Sequence, residues 1–116
     1  MVFAADPATG LFGEDSVDIT ATCPTCFDRG STPSISADGT KNAIVWVLDN
    51  GRYQKSAPAI LHAFDATDLS KELYVSATRA LSADAAGPAV KFTVPAVANG
   101  RVFVGGQNSV AVFGLR

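Results

Sequence analysis

A chain of 116 residues with 47% apolar residues, 17% charged residues and a formal net charge of −2 holds one domain's worth of core. That charge balance gives no electrostatic case for binding nucleic acid or an anionic membrane surface. No apolar run approaches the ~18 residues of a membrane span, and the opening Met1-Val2-Phe3-Ala4-Ala5-Asp6 has neither the basic nor the apolar region of a signal peptide. With charge below the roughly 25% usual in soluble domains, much of the surface is expected to be paired, packed or covered.

Val2 to Ala5 reads as a short strand and Asp6-Pro7-Ala8-Thr9-Gly10 as a turn, with Pro presetting φ and Gly permitting a positive φ at the exit. Residues 11–31 are weakly patterned. Val17-Asp18-Ile19-Thr20-Ala21 alternates like a strand, and Cys23 to Ser31 is loop-like. Ser34 to Ala37 is expected as a strand, Asp38-Gly39-Thr40-Lys41 as a turn, and Asn42 to Asp49 as a strand whose near-continuous apolar run suits burial on both faces. A polar connector, Asn50 to Ala57, precedes strands at Pro58 to Asp65 and Glu72 to Ser76, joined by the Asp-led turn Asp65-Ala66-Thr67-Asp68. Residues 77–90 have room for a helical turn that Gly87-Pro88 would end. Strands then follow at Phe92 to Ala98, Arg101 to Gly105 and Val110 to Leu115, around an Asn99-Gly100 hairpin turn and a Gly106-Gln107-Asn108 turn.

Two phrases about 61 residues apart match: Thr32-Pro33-Ser34-Ile35-Ser36-Ala37-Asp38-Gly39 before Ala43-Ile44-Val45-Trp46-Val47, and Val94-Pro95-Ala96-Val97-Ala98-Asn99-Gly100 before Arg101-Val102-Phe103-Val104. Each is a strand, a Gly-containing turn and a second apolar strand. The chain is therefore expected to be all-β. Its strands group as antiparallel four-stranded β-propeller blades, about two of them, in an incomplete ring. Residues 1–31 would supply partial blade strands and a Cys-containing loop, 32–80 a full blade and 81–116 a three-stranded final blade, all within one domain. On this reading the chain starts at a third strand and stops after three strands of its last unit.

The phrase Val2-Phe3-Ala4-Ala5-Asp6-Pro7-Ala8-Thr9-Gly10, echoed by Leu61-His62-Ala63-Phe64-Asp65-Ala66-Thr67, resembles the repeat of pyrroloquinoline-quinone (PQQ)-type β-propellers. Thr32 to Leu115 is similar to the C-terminal end of bacterial propellers of that repeat, through Ile44-Val45-Trp46-Val47-Leu48, Asp84-Ala85-Ala86-Gly87 and Val110-Ala111-Val112-Phe113-Gly114-Leu115. The resemblance implies a periplasmic or secreted location. It also implies, as an alternative to a non-catalytic module, the C-terminal part of a quinoprotein-like oxidoreductase using PQQ and Ca²⁺. The departures favour the module, for which no cofactor is expected in the isolated chain. The tryptophan that locks neighbouring blades in the family is replaced by Phe12 after the first turn and Tyr74 after the second. Asp6 and Asp65 match the turn Asp of the repeat, not a catalytic Asp, so no catalytic residue is assigned.

Cys23-Pro24-Thr25-Cys26 is the sharpest chemical motif. It suits a local disulfide or pair of loop thiols, half of a zinc site completed by a second chain, or a redox dithiol. With no second Cys pair, one chain alone closes no four-thiolate site. His62 is expected to be a packed or edge strand residue, and Trp46 and the seven Phe are expected in the core. Asp6, Asp38, Asp65 and Asp68 sit at turns, where bonding to the backbone accounts for them. Gly105-Gly106 reads as a hairpin turn. Open blade edges and faces must be covered, which leads to the expectation of a homo-oligomer, about three chains for six blades or four for eight, or of a larger propeller.

Overall fold

The computed structural model describes residues 31–77 and 82–114 in full and the strands Val2–Ala5 and Phe12–Asp18 at the level of the backbone. The described structure is all-β. Strands β1 (Val2–Ala5) and β2 (Phe12–Asp18) form an antiparallel pair, with Val2 opposite Asp18 and Ala5 opposite Phe12 across two register shifts. Strands β3 (Ser34–Asp38), β4 (Lys41–Asp49), β5 (Ile60–Asp65) and β6 (Asp68–Val75) form a four-stranded antiparallel meander in chain order. Strands β7 (Ala96–Ala98), β8 (Arg101–Gly106) and β9 (Ser109–Gly114) form a three-stranded one. None of these sheets closes on itself. The two matching sequence phrases are the first hairpins of the two meanders.

The turns follow from residues that tolerate positive φ. Asn99 and Gly100 take φ of 50° and 69°, the left-handed pair that matches the twist of a two-residue hairpin. Gly39 (φ 59°) turns β3 into β4, and Asn42 (φ 54°) absorbs the register shift that follows. Asp65 Oδ1 accepts the Thr67 N–H at 2.9 Å and Asp68 Oδ1 accepts the Ser70 N–H at 3.1 Å, so both turn carboxylates bond to the backbone as expected.

Several expected boundaries shift: the strand expected to begin at Val17 runs Phe12–Asp18, and β5 starts at Ile60 instead of Pro58. Strand β6 starts at Asp68 because the tight Asp65–Asp68 turn lets pairing begin at once. Its end is extended by Ser76, whose N–H donates to Leu61 O and whose hydroxyl accepts the Leu61 N–H, both at 2.9 Å. Strand β7 is confined to Ala96–Ala98 instead of starting at Phe92. Lys91 and Phe92 form a turn, with Phe92 at φ 62°, and Pro95 has no N–H to offer a ladder. Gly105 and Gly106 belong to β8, and the turn is Gln107-Asn108. A single 3₁₀ turn, Tyr53–Lys55, lies in the expected polar connector.

The core lies between the two meanders. Cross-strand register puts Ile44, Trp46 and Leu48 of β4, Leu61 and Ala63 of β5, and Tyr74 of β6 on one face of the first sheet. Val97, Val102, Val104, Ala111 and Phe113 share a face of the second. Leu48, Leu61, Val102 and Val104 are buried together, with Trp46, Tyr74, Val97 and Phe113 packed around them. The first strands of the sheets lie against each other: the Ser34 hydroxyl of β3 donates to Pro95 O, immediately before β7. The last strands also meet, with Tyr74 of β6 edge-on to Phe113 of β9, ring centroids 6.3 Å apart and planes at 62°. Trp46 Nε1 donates to the Ser36 hydroxyl at 2.9 Å, satisfying the polar edge of a half-buried indole.

The connector 84–89 stitches the sheets together. Ala59 N–H donates to Gly87 O at 3.2 Å, Ala89 N–H to Ala57 O at 2.8 Å and Gln107 N–H to Pro88 O at 2.9 Å. This approach is so close that a Cβ on Gly106 would sit 3.0 Å from Pro88 O and 3.1 Å from the Gly87 backbone.

Candidate binding cleft

A cleft of about 550 Å³ opens beside the end of β4 and the approach to β7, lined by Ser31, Thr32, Asn50, Tyr53, Lys91, Phe92 and Thr93. Its walls are built locally. Asp49 Oδ1 accepts the Gly51 N–H at 2.8 Å, which bends the chain away from β4. The Tyr53 N–H then donates to Asn50 O at 3.1 Å and starts the 3₁₀ turn that carries the Tyr53 ring. From the other side, Thr93 Oγ1 donates to Val90 O at 3.2 Å and closes the Lys91-Phe92 turn. Asn50 ties the walls together through Nδ2, which donates to Thr93 O at 3.3 Å.

Three features of this cleft go beyond packing. Asn50 is 9% exposed, and its Oδ1 is buried with no hydrogen-bond partner, an arrangement that costs about 1–3 kcal/mol unless a donor arrives. Lys91 Nζ stands 4.6 Å from the centre of the Tyr53 ring, and among the described residues no carboxylate pairs with it. Phe92 is 92% exposed and holds a φ of 62°, a conformation that costs a bulky L-residue about 1–2 kcal/mol. The lining has an unfilled acceptor, a cation, an exposed ring and the hydroxyls of Ser31, Thr32 and Thr93. The described lining residues include no carboxylate, cysteine or histidine.

The residues singled out by the sequence do not meet here. Cys23 and Cys26 lie outside the described residues, as does Asp6. His62 faces away from the inter-sheet core, buried, with Nδ1 and Glu72 Oε1 2.6 Å apart and its ring stacked on Phe64 at a centroid separation of 6.0 Å. It is a packed strand histidine, as its position in an apolar run suggests. Phe92 departs from the expectation that the phenylalanines are core. Among the described residues no three His, Cys, Asp or Glu side chains converge as a metal site. No described helix is long and apolar enough to cross a membrane.

Two titrating groups are perturbed outside the cleft. Bonds from the Thr67 hydroxyl and N–H, helped by Lys71 Nζ at 3.4 Å, hold the Asp65 carboxyl below its usual range. Burial, reinforced by the Asp84 carboxylate at 3.4 Å, raises the Tyr74 phenol.

The signal for the cleft was weak in the sequence. Asn50 and Tyr53 sit in what reads as a plain polar connector, and Lys91 and Phe92 in what reads as the start of a strand. Only the tertiary fold brings these segments together. Comparison with protein-family models, with curated proteins and with solved structures finds no match to any of them.

Proposed function

We propose that this chain is a non-catalytic β-propeller-type module with a structural and binding role, which completes its ring by self-association or as part of a larger propeller. The observation that carries this reading is the stacking of the two meanders. First strand lies on first strand, last strand on last strand, and a shared apolar face between them contains Leu48, Leu61, Val102 and Val104. Radial arrays of antiparallel blades stack in this way. Tyr74, which stands where the resembling repeat carries its blade-locking tryptophan, makes the aromatic contact to the next sheet.

The second sheet leaves its other face uncovered. Val110 is 66% exposed and Val112 53% exposed, and Phe103 lies between Ala96 and Val112 in the same cross-strand row. An apolar face on the last sheet is the surface on which a further sheet would stack. Nothing among the described residues favours an oxidoreductase over this reading. The resembling family's PQQ and Ca²⁺ belong to that alternative, and titrating both while following the quinone absorbance tests it. The main test is light scattering across a dilution series, with the wild-type chain beside Val110→Asp/Val112→Asp. The reading expects a multiple of the chain mass that the double substitution reduces to the monomer without loss of β-sheet circular dichroism. A wild-type chain that is a monodisperse monomer at micromolar concentration would overturn self-association.

A further inference from the structure

We infer that the cleft between the β4 exit and the Lys91-Phe92 turn is a binding site for an acidic sugar, a uronic acid unit of a polysaccharide. The buried Oδ1 of Asn50 is an acceptor without a partner, while Nδ2 of the same side chain is fixed on Thr93 O at 3.3 Å. The amide is therefore oriented, and Oδ1 needs a hydroxyl or an N–H from outside. Lys91 supplies an ammonium that rests on the Tyr53 ring at 4.6 Å and makes no ion pair with a described carboxylate. A ligand anion would complete it with a charge-assisted bond.

Tyr53 and the 92%-exposed Phe92 add aromatic surface to the same cleft, and the strained φ of 62° at Phe92 holds that ring away from the core. One molecule that donates a hydroxyl to Oδ1, presents a carboxylate to an ammonium and lays a C–H face on an aromatic ring is a hexuronic acid. The Ser31 and Thr93 hydroxyls, which donate to Leu48 O and Val90 O, would accept from its remaining hydroxyls, and Thr32 would accept or donate. A volume of about 550 Å³ has room for a short oligosaccharide.

The inference does not depend on ring closure, because every residue it uses comes from one chain. Its test is a titration of the full chain with trigalacturonate, followed by amide chemical shifts, beside a neutral trisaccharide and sodium acetate as separate arms. The expected result is shifts centred on residues 50–53 and 91–93 with trigalacturonate, weaker binding of the neutral sugar, and acetate binding weaker still. Lys91→Met should weaken trigalacturonate about tenfold, the loss of one charge-assisted bond, and should leave the neutral sugar unchanged. Phe92→Gly should weaken both sugars while preserving the fold, since glycine accepts this φ. Absence of localised shifts at millimolar trigalacturonate, or equal affinity for the wild type and Lys91→Met, would overturn the assignment. Acetate binding as tightly as trigalacturonate would overturn the sugar and leave a simple anion site.

Discussion

Removing the Leu61 side chain tests the claim that the two meanders share one core. Leu61 is 0% exposed on β5 and is buried with Leu48, Val102 and Val104. Leu61→Ala deletes three carbons, about 2.4 kcal/mol of transfer free energy at ~0.8 kcal/mol each. The cavity left between the sheets adds to this, giving about 3–4 kcal/mol, within the range for buried Leu→Ala changes. Against a total stability of about 5–15 kcal/mol the loss is large, and in a chain of this size it lowers Tm by about 12–20 °C. The partner substitution Val112→Ala removes two carbons from a side chain 53% exposed on the outer face and should cost under about 0.5 kcal/mol in the monomer. Thermal unfolding of both, at a concentration dilute enough to hold the monomer, measures the contrast. A Leu61→Ala shift below about 5 °C would refute the shared core, since a fully buried leucine that costs so little faces no second sheet.

Four further outcomes follow. Gly106→Ala should cost about 1–3 kcal/mol in chemical denaturation, because its new Cβ meets the Gly87 and Pro88 backbone at 3.0–3.1 Å; a neutral result would mean that the connector is not held against β8. Ser36→Ala should cost about 1–2 kcal/mol, since it leaves the half-buried Trp46 N–H without its acceptor, and the Trp46 fluorescence should change with it. The Asp65 pKa is lowered on folding, so its contribution to stability is present above the unfolded-state carboxyl pKa and is lost as pH falls through the folded one. Asp65→Asn should flatten that acid limb, and an unchanged limb would contradict the role of Thr67. The Tyr74 pKa is raised on folding, so its contribution holds below the unfolded-state phenol pKa and is lost as pH rises through the folded one. In a Tyr53→Phe background the tyrosinate absorbance should appear above the ordinary phenol range, and Asp84→Asn should bring it only part of the way back, because burial is the larger cause.

The architecture was legible in the sequence where local chemistry and global fold agree. Asn99-Gly100 and Gly39 announced their hairpins because few residues accept the φ these turns need. The run from Ala43 to Leu48 announced β4 because it is apolar on both faces. The grouping into four and three strands followed from the spacing of those turns. The misread segments are those where tertiary contacts decide. Lys91 to Val94 has the composition of a strand, yet the Asn50 amide takes the Thr93 carbonyl and Phe92 turns the chain, so pairing waits until Ala96. Ser76 lies past the last paired residue of β6 but replaces a ladder bond with its hydroxyl, which no periodicity reveals. The cleft was hidden for a related reason: Asn50 and Thr93 are 43 residues apart and share no motif.

The central claim is that the apolar outer face of β7–β9 is stacked against the sheet of a second copy of the chain. Native mass spectrometry of the purified chain tests this most directly. The account predicts one closed stoichiometry at micromolar concentration, about three or four chains, that is lost in Val110→Asp/Val112→Asp. A spectrum holding only the monomer, or an open-ended ladder of masses, would contradict it.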